Sequence, residues 1–493
     1  MSVRKLGLNA VIYGLGGMLN RIISFLLLPL FTHVLTTEDF GAAGMLQILS
    51  TFVASAFALG VTGSLSSCYY RAETPEAKHR AVTSAVVLLF ISCAVMLALA
   101  LPLSSWLSQV LLDGHGGGDL VIISLLTTAL MIVVQPLILS IQYEQKSRLF
   151  VSLSAVSTIL TALCNIIAVA WLKMGLRGWI TAQLIGQAIG LVLYLVPFLR
   201  SRRPRVDRPV LRRLLVLGLP MMPCFAFMFI IQQGNRYMVE HFHGLGQLGI
   251  YNLAASLATV SSLAVTAFQL SWTPYFMAYR DKPAEAEAAF GKVTTYYFYF
   301  MGLVTVCFFA FAQPVVEAMT GPDFHPAWLA VGSLALANIF AGATNLLTPA
   351  QYFSDKLGHL TIMQAIAAVI SLGINAGLIF WLGPAAAGFA LALSYGCLLL
   401  IHGWWNHRGK SMQLPVRYEW GRLALVAAAV TVAAAVYLVF PAGSVLSGFL
   451  RSVVGPLVFC VLVWMMLTPE QRNTALGMVR RFLPKRRMPV SEP

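Results

Sequence analysis

The chain has 493 residues, of which 58% are hydrophobic and only 10% charged, with a mean hydropathy of +0.79. A water-soluble domain carries about 25% charged residues, so this chain cannot cover a water-facing surface and its solvent is mostly lipid. That excludes a soluble enzyme, a secreted disulfide scaffold and a disordered regulator. A formal net charge of +15 would point to nucleic acid in a soluble protein. Here the positions of the charges carry the information, and no nucleic-acid partner is expected.

A membrane-spanning helix needs about 20 mostly apolar residues. Fourteen stretches qualify: 8–32, 41–69, 81–102, 120–142, 149–172, 177–199, 214–239, 247–272, 294–316, 327–349, 359–382, 384–406, 420–440 and 446–467. The first is too long, and too clearly interrupted by Arg21, to be a cleaved signal peptide. With the N-terminus in the cytoplasm, 28 of the 33 lysines and arginines fall on the cytoplasmic side. Only Lys173, Arg177, Arg236 and Arg451 fall outside, and Arg21 lies within a span. This asymmetry follows the positive-inside rule and puts both termini in the cytoplasm.

The longest basic run, RSRRPRVDRPVLRR at 200–213, separates two sets of six spans. A polybasic segment at that place suits anionic lipid headgroups. Shifted by 210, Asn165 meets Asn375, Trp171 meets Trp381 and Leu172 meets Leu382; Gly178, Ala182 and Gly186 meet Gly388, Ala392 and Gly396. Because six is even, both halves enter the membrane from the same side, which makes a parallel repeat about an axis along the membrane normal. The expected fold is an all-α polytopic membrane protein of 14 helices. Residues 1–199 form one six-helix bundle, 200–213 a cytoplasmic linker, 214–407 a second bundle, and 408–493 two further helices and a basic tail. Gly186 with Gly190, and Gly373 with Gly377, form GxxxG pairs suited to close helix packing.

No soluble catalytic constellation is present. Gly244 to Gly249 matches GxGxxG but follows a membrane span, with no strand before it to build a dinucleotide site. His241 and His243 are two apart and share no helix face, and the seven cysteines lie in apolar stretches without CxxC spacing, so they read as packing residues. No metal and no cofactor is expected, and the chain is not an enzyme.

The informative residues are charges inside the hydrocarbon. An arginine facing lipid at mid-span costs about 2.5–3.5 kcal/mol, so Arg21 should face an aqueous cavity or a partner. Arg236, towards the outer end of the seventh span, either snorkels to the interface or assists Arg21. No aspartate or glutamate occupies the centre of any span. A cation exporter or proton relay needs a carboxylate at depth, whereas a guanidinium fork suits the oxygens of a phosphate. Asn20, Gln47, Gln232, Asn235, Asn252 and Gln269 are uncharged polar residues in the spans that would suit hydroxyl-rich cargo.

Residues 20–41, NRIISFLLLPLFTHVLTTEDFG, resemble the first-span signature of Wzx-type polysaccharide flippases, members of the multidrug/oligosaccharidyl-lipid/polysaccharide exporter superfamily. Residues 235–251, NRYMVEHFHGLGQLGIY, resemble the pattern that opens the second half in that family, and 268–276 and 320–329 resemble further parts of it. The resemblance covers about residues 1–407. It implies a V-shaped pair of six-helix lobes (a MATE-like fold) that moves undecaprenyl-diphosphate-linked oligosaccharide units between leaflets of the bacterial cytoplasmic membrane by alternating access. Membrane lipids, a polysaccharide polymerase and glycosyltransferases are the partners it suggests. Where many relatives have Asp before the arginine of the seventh span, this chain has Asn235. The rivals are a peptidoglycan-precursor flippase, a drug or cation antiporter of the same superfamily, and a non-transport scaffold for glycan assembly.

Overall fold

The computed structural model describes residues 21–201, 204–279, 282–350, 358–408, 416, 418–440, 445–469 and 472. Asn20 and most of the first stretch lie outside the described residues. Among the described residues every long element is a helix and none is a strand. Twelve helices are long and apolar enough to cross a membrane, and a shorter apolar helix precedes them.

The first lobe holds α1 (Arg21–Val34), α2 (Thr37–Phe57), α3 (Val61–Arg71), α4 (Pro75–Ala100), short α5 (Ser104–Leu112), α6 (Gly118–Tyr143), α7 (Ser147–Asn165, carried on to Trp171 by a wider π turn) and α8 (Gly175–Ser201). The second holds α9 (Arg208–Gly218), α10 (Met222–Ala258), α11 (Ser261–Met277), α12 (Pro283–Met319), α13 (Trp328–Ala343), α14 (Gly358–Leu382) and α15 (Ala387–Arg408). Two more helices, α16 (Trp420–Val439) and α17 (Val445–Met466), pack on α12.

Turns and breaks follow from local chemistry. Thr36 and Asp39 close a capping box at the start of α2, each side chain accepting the other's backbone N–H at 3.1 and 3.0 Å. This satisfies donors that a helix start leaves open and lets α2 follow α1 after two residues. Arg208–Ala258 is a 51-residue run, more than twice what a bilayer core accepts. It folds back at Gly244, whose φ of 80° and ψ of 173° are non-helical. A Cβ there would touch nothing, so the backbone angle, not crowding, calls for glycine.

Two expected spans are broken rather than straight. The stretch 41–69 divides at Leu59 and Gly60, with φ of 49° and 62°, and the carbonyl of Phe57 freed by the break accepts the Ser92 hydroxyl at 2.8 Å. The stretch 247–272 divides at Thr259 and Val260, where Ser261 and Ser262 donate to the carbonyls of Ala258 and Thr259 at 2.7 and 2.6 Å. In lipid a broken helix persists only where side chains re-satisfy its backbone. The seventh stretch also differs: α9, at its start, is a separate helix beginning at Arg208.

The lobes meet where α2 crosses the second arm of α10. A Cβ on Gly41 would lie 2.0 Å from the Leu245 carbonyl oxygen, and one on Gly249 would lie 1.8 Å from that of Thr37. Thr37 and Gly41 stand 208 residues before Leu245 and Gly249, so this contact is reciprocal about the axis relating the halves. Beside it, Phe40 meets Trp179 of the first lobe and Phe324 of the second, with ring centroids 5.2 and 4.9 Å apart. The repeat also shows at 210: Asn165 and Asn375 each donate to the carbonyl one turn back, at Thr161 and Ser371, and Trp171 and Trp381 are 80% and 81% exposed.

Of the two GxxxG pairs, Gly186 and Gly190 face Thr161 and Ser157 of α7, while Gly373 and Gly377 have open space where a Cβ would stand. The second pair is therefore not a packing seam within this chain. Gly41→Ala and Gly249→Ala should each lower stability by about 1–3 kcal/mol, as overpacking does, and Gly373→Ala should be neutral or slightly stabilising. Thermal unfolding of the purified variants measures the contrast.

Candidate functional site

The two ends of the bundle carry opposite charge. The ends of α3, α4, α7 and α8 and the start of α9 bring Arg71, Arg80, Arg148, Arg200, Arg208 and Arg212 to one end. The other end, where α1 turns into α2 and α10 folds back, carries Glu38, Asp39, Asp113, Asp119 and Asp323, together with Lys173 and with Arg177, which pairs with Asp119. At this acidic end His115 reaches Glu38 and Asp39 at 3.6 and 3.3 Å. A cavity of about 650 Å³ opens there between the lobes, lined by Glu38, Asp113 and His115 from one and His243, Gln247 and Asp323 from the other.

Between the ends lie the two arginines, and each reaches across to the opposite lobe. Arg21 of α1 donates from Nη1 to Ser262 Oγ of α11 at 2.7 Å. Arg236 of α10 donates from Nη1 to Gln47 Oε1 of α2 at 3.2 Å. Among the described residues no carboxylate is paired with either. At about 1.5 Å of rise per residue, Arg236 lies roughly 12 Å below the fold-back at Gly244, and Arg21 roughly 20 Å below the outer end of α1. Arg236 therefore sits deeper than the end of its span, and its guanidinium bonds to the facing lobe rather than reaching for the interface. Glu240, one turn further along α10, is buried and not paired with Arg236.

Asn235 is almost fully buried, 1% exposed. Its amide donates to the Tyr251 hydroxyl, and its Oδ1 accepts the Arg236 backbone N–H at 2.9 Å. It thus holds the two arms of α10 together beside Arg236. An ionised aspartate at this position could not donate to the Tyr251 hydroxyl, so this contact calls for the amide. Gln232 lies one turn below Arg236, is exposed, and hydrogen-bonds Tyr395. Asn252 is also buried: its amide donates to the Phe40 carbonyl at 3.3 Å, in space left open by Gly44. It belongs to the contact between lobes, not to a cavity wall. Gln269 is half-buried on α11, seven residues from Ser262 and so on the same helix face. Arg21, Gln47 and Arg236 are brought together across the boundary between the lobes, Asn235 and Asn252 are buried in packing contacts, and Gln232 and Gln269 lie on α10 and α11 without a contact to the facing lobe among those described.

Sequence reasoning missed Ser262, Tyr251 and Tyr395. Asn235 and Tyr251 are the first and last residues of the 235–251 pattern, so a buried contact within it was the available signal. Ser262 owes its place to a helix break that no glycine or proline announces.

Among the described residues, twelve apolar helices of span length arranged in two lobes define a multi-pass membrane protein. Residues 6–280 match the polysaccharide biosynthesis protein family, and the chain belongs to it. The fold is similar to that of the lipid II flippase MurJ in an inward closed conformation, at 11% identity and a TM-score of 0.68, covering 92% of this chain and 99% of that one. It is also similar to a multidrug resistance MATE family transporter of the MOP superfamily in an inward-facing conformation, at 15% identity and a TM-score of 0.63, covering 87% and 96%. An outward-facing conformation of such a transporter gives 15% identity and a TM-score of 0.56, covering 86% and 96%. No curated protein matches the chain.

Removing Asn235 should unpair both of its partners. Asn235→Leu should cost about 1–3 kcal/mol for the buried polar groups left behind. Tyr251→Phe should cost about 1 kcal/mol, and the double variant should cost clearly less than the sum. Denaturation of the purified protein in detergent tests this cycle.

Proposed function

We propose that the chain is a flippase for lipid-linked oligosaccharides: it carries undecaprenyl-diphosphate-linked repeat units from the inner to the outer leaflet of the bacterial cytoplasmic membrane for surface polysaccharide synthesis. The observation that carries this reading is the pair of guanidiniums, one from each lobe, whose side-chain hydrogen bonds among the described residues go to neutral oxygens of the facing lobe. A diphosphate offers charged oxygens in their place, and hydrogen bonds between ionised partners are roughly twice as strong as neutral ones. Taking Arg236 from Gln47 removes a link just below the Gly41–Gly249 seal, so cargo binding favours parting of the lobes at the acidic end. Arg21 and Arg236 stand about 8 Å apart in depth, by their helix rise, and give the diphosphate two successive holds.

In this reading the basic end faces the cytoplasm with both chain termini, and the acidic end faces out. The better superposition on the inward-facing than on the outward-facing transporter supports that assignment, since the contact at the acidic end is the closed one. Gln47, Gln232 and Gln269 would meet sugar hydroxyls, Asn20 stands next to Arg21 in sequence, and the polyprenyl tail would stay in lipid. We divide the chain into bundles 1–199 and 214–407, the linker 200–213, and 408–493. Each negative charge moving outward gains about 2.3 kcal/mol per 100 mV of inside-negative potential, which drives transport without breaking a bond. A polymerase and glycosyltransferases are the partners proposed to supply and consume the cargo.

The similarity to a lipid II flippase favours one rival, transport of the peptidoglycan precursor, which also carries a diphosphate. Complementation of cells depleted of their peptidoglycan flippase decides between the two cargoes. A drug antiporter is the other, and drug resistance of expressing cells tests it. In proteoliposomes, Arg21→Gln and Arg236→Gln should each slow translocation of lipid-linked oligosaccharide at least tenfold, the lower bound for a lost charged hydrogen bond. Lysine at either place should restore only part, because it lacks the fork. Wild-type rates in both glutamine variants would remove the arginines from the mechanism.

A further inference from the structure

Helix α9 has two faces. Leu214 and Gly218 are buried, Val210, Leu211 and Leu215 half-buried, and this side packs on α3 and α4 of the other lobe. The fit is close: a Cβ on Gly218 would lie 2.2 Å from the Leu59 carbonyl oxygen, and one on Gly60 would lie 2.2 Å from that of Gly218. At the N-terminal end, the Asp207 backbone N–H donates to Ser84 Oγ at 2.9 Å. The helix is thus fixed to the first lobe at both ends, against the break that divides α2 from α3.

The opposite face has no cover among the described residues. Residues four apart lie above one another on a helix, which gives two parallel stripes, Arg208, Arg212 and Val216, and Pro209, Arg213 and Leu217. All six are exposed, Val216 at 62% and Leu217 at 39%. Arg208 and Arg212 give way to Val216, and Arg213 to Leu217, so the face changes from basic to apolar within about 12 Å of rise. That gradient matches a lipid leaflet, from phosphate headgroup to acyl chain, and not a soluble anion, which would have no use for the apolar half. Between 200 and 213 seven arginines face one carboxylate, Asp207, so the charge complementarity is to an anionic headgroup.

We infer that the outer face of α9 is a docking surface for anionic phospholipid of the adjoining leaflet, with Arg208, Arg212 and Arg213 on the phosphates and Val216 and Leu217 in the acyl layer. The test uses the full-length protein in neutral detergent, titrated with phosphatidylglycerol or phosphatidylcholine, with bound lipid counted by native mass spectrometry. The wild type retains phosphatidylglycerol in preference to phosphatidylcholine, and 1 M salt abolishes the preference by screening. R208Q/R212Q/R213Q loses about a hundredfold in phosphatidylglycerol affinity, from roughly fivefold per arginine, while R208K/R212K/R213K stays within about twofold of wild type. V216S/L217S weakens both lipids. Unchanged lipid preference in the glutamine variant or in 1 M salt overturns the inference. So does full displacement of the lipid by millimolar inorganic phosphate, which would mark a site for a free anion.

Discussion

In hydrocarbon no water waits to pair with a stranded polar group, so each one must find its partner inside the protein. This constraint decides where the helices of this chain break and where its charges lie. Ser92 accepts the task at the break after Phe57, and Ser261 and Ser262 do so after Ala258. Ser262 then serves twice, donating to the Thr259 carbonyl and accepting Arg21. The broken helix and the half-buried cation of the opposite lobe therefore share one hydroxyl. Among the described residues Arg236 meets the same requirement through Gln47, again across the lobe boundary.

Much of this was legible in the sequence, and the reasons are physical. Apolar stretches of span length are unambiguous because lipid tolerates little else, and the charge asymmetry between loops followed the same logic. The repeat could be read through Asn165 and Asn375 because both occupy the same strut one turn below a hydroxyl residue. Arg21 stood out because an arginine at depth needs a reason. What could not be read was orientation around the helix axis. Asn235, Asn252 and Gln232 look alike in a list of polar span residues, yet the first two are struts behind the wall and the third is exposed. In a span lacking a polar face, periodicity gives no direction, and α2 and α10 are apolar on most sides. The glycines behaved similarly: Gly41 and Gly249 form no GxxxG pair with each other and yet make the closest contact, while the Gly373–Gly377 pair meets nothing.

The charge difference between the ends complements the site between them. Arginines gather at one mouth, while Glu38, Asp113 and Asp323 line the cavity at the other, with two guanidiniums spaced along the intervening depth. For the proposed anionic cargo this gives attraction on entry, a hold at two levels, and repulsion once past the seal. An exit lined by acids does not conflict with an anion binder; it lowers the affinity on the side where release is needed. Because the lipid tail never leaves the bilayer, only the headgroup has to follow this path.

The crossing of α2 and α10 has one more implication. Gly41 presses on the backbone carrying Leu245, and Gly249 presses on the backbone carrying Thr37, so the same contact is made twice, about a common axis. Both contacts lie on one crossing, so the helices cannot part there without giving up the two together. Under the proposed function, opening at this end therefore breaks the pair in one step.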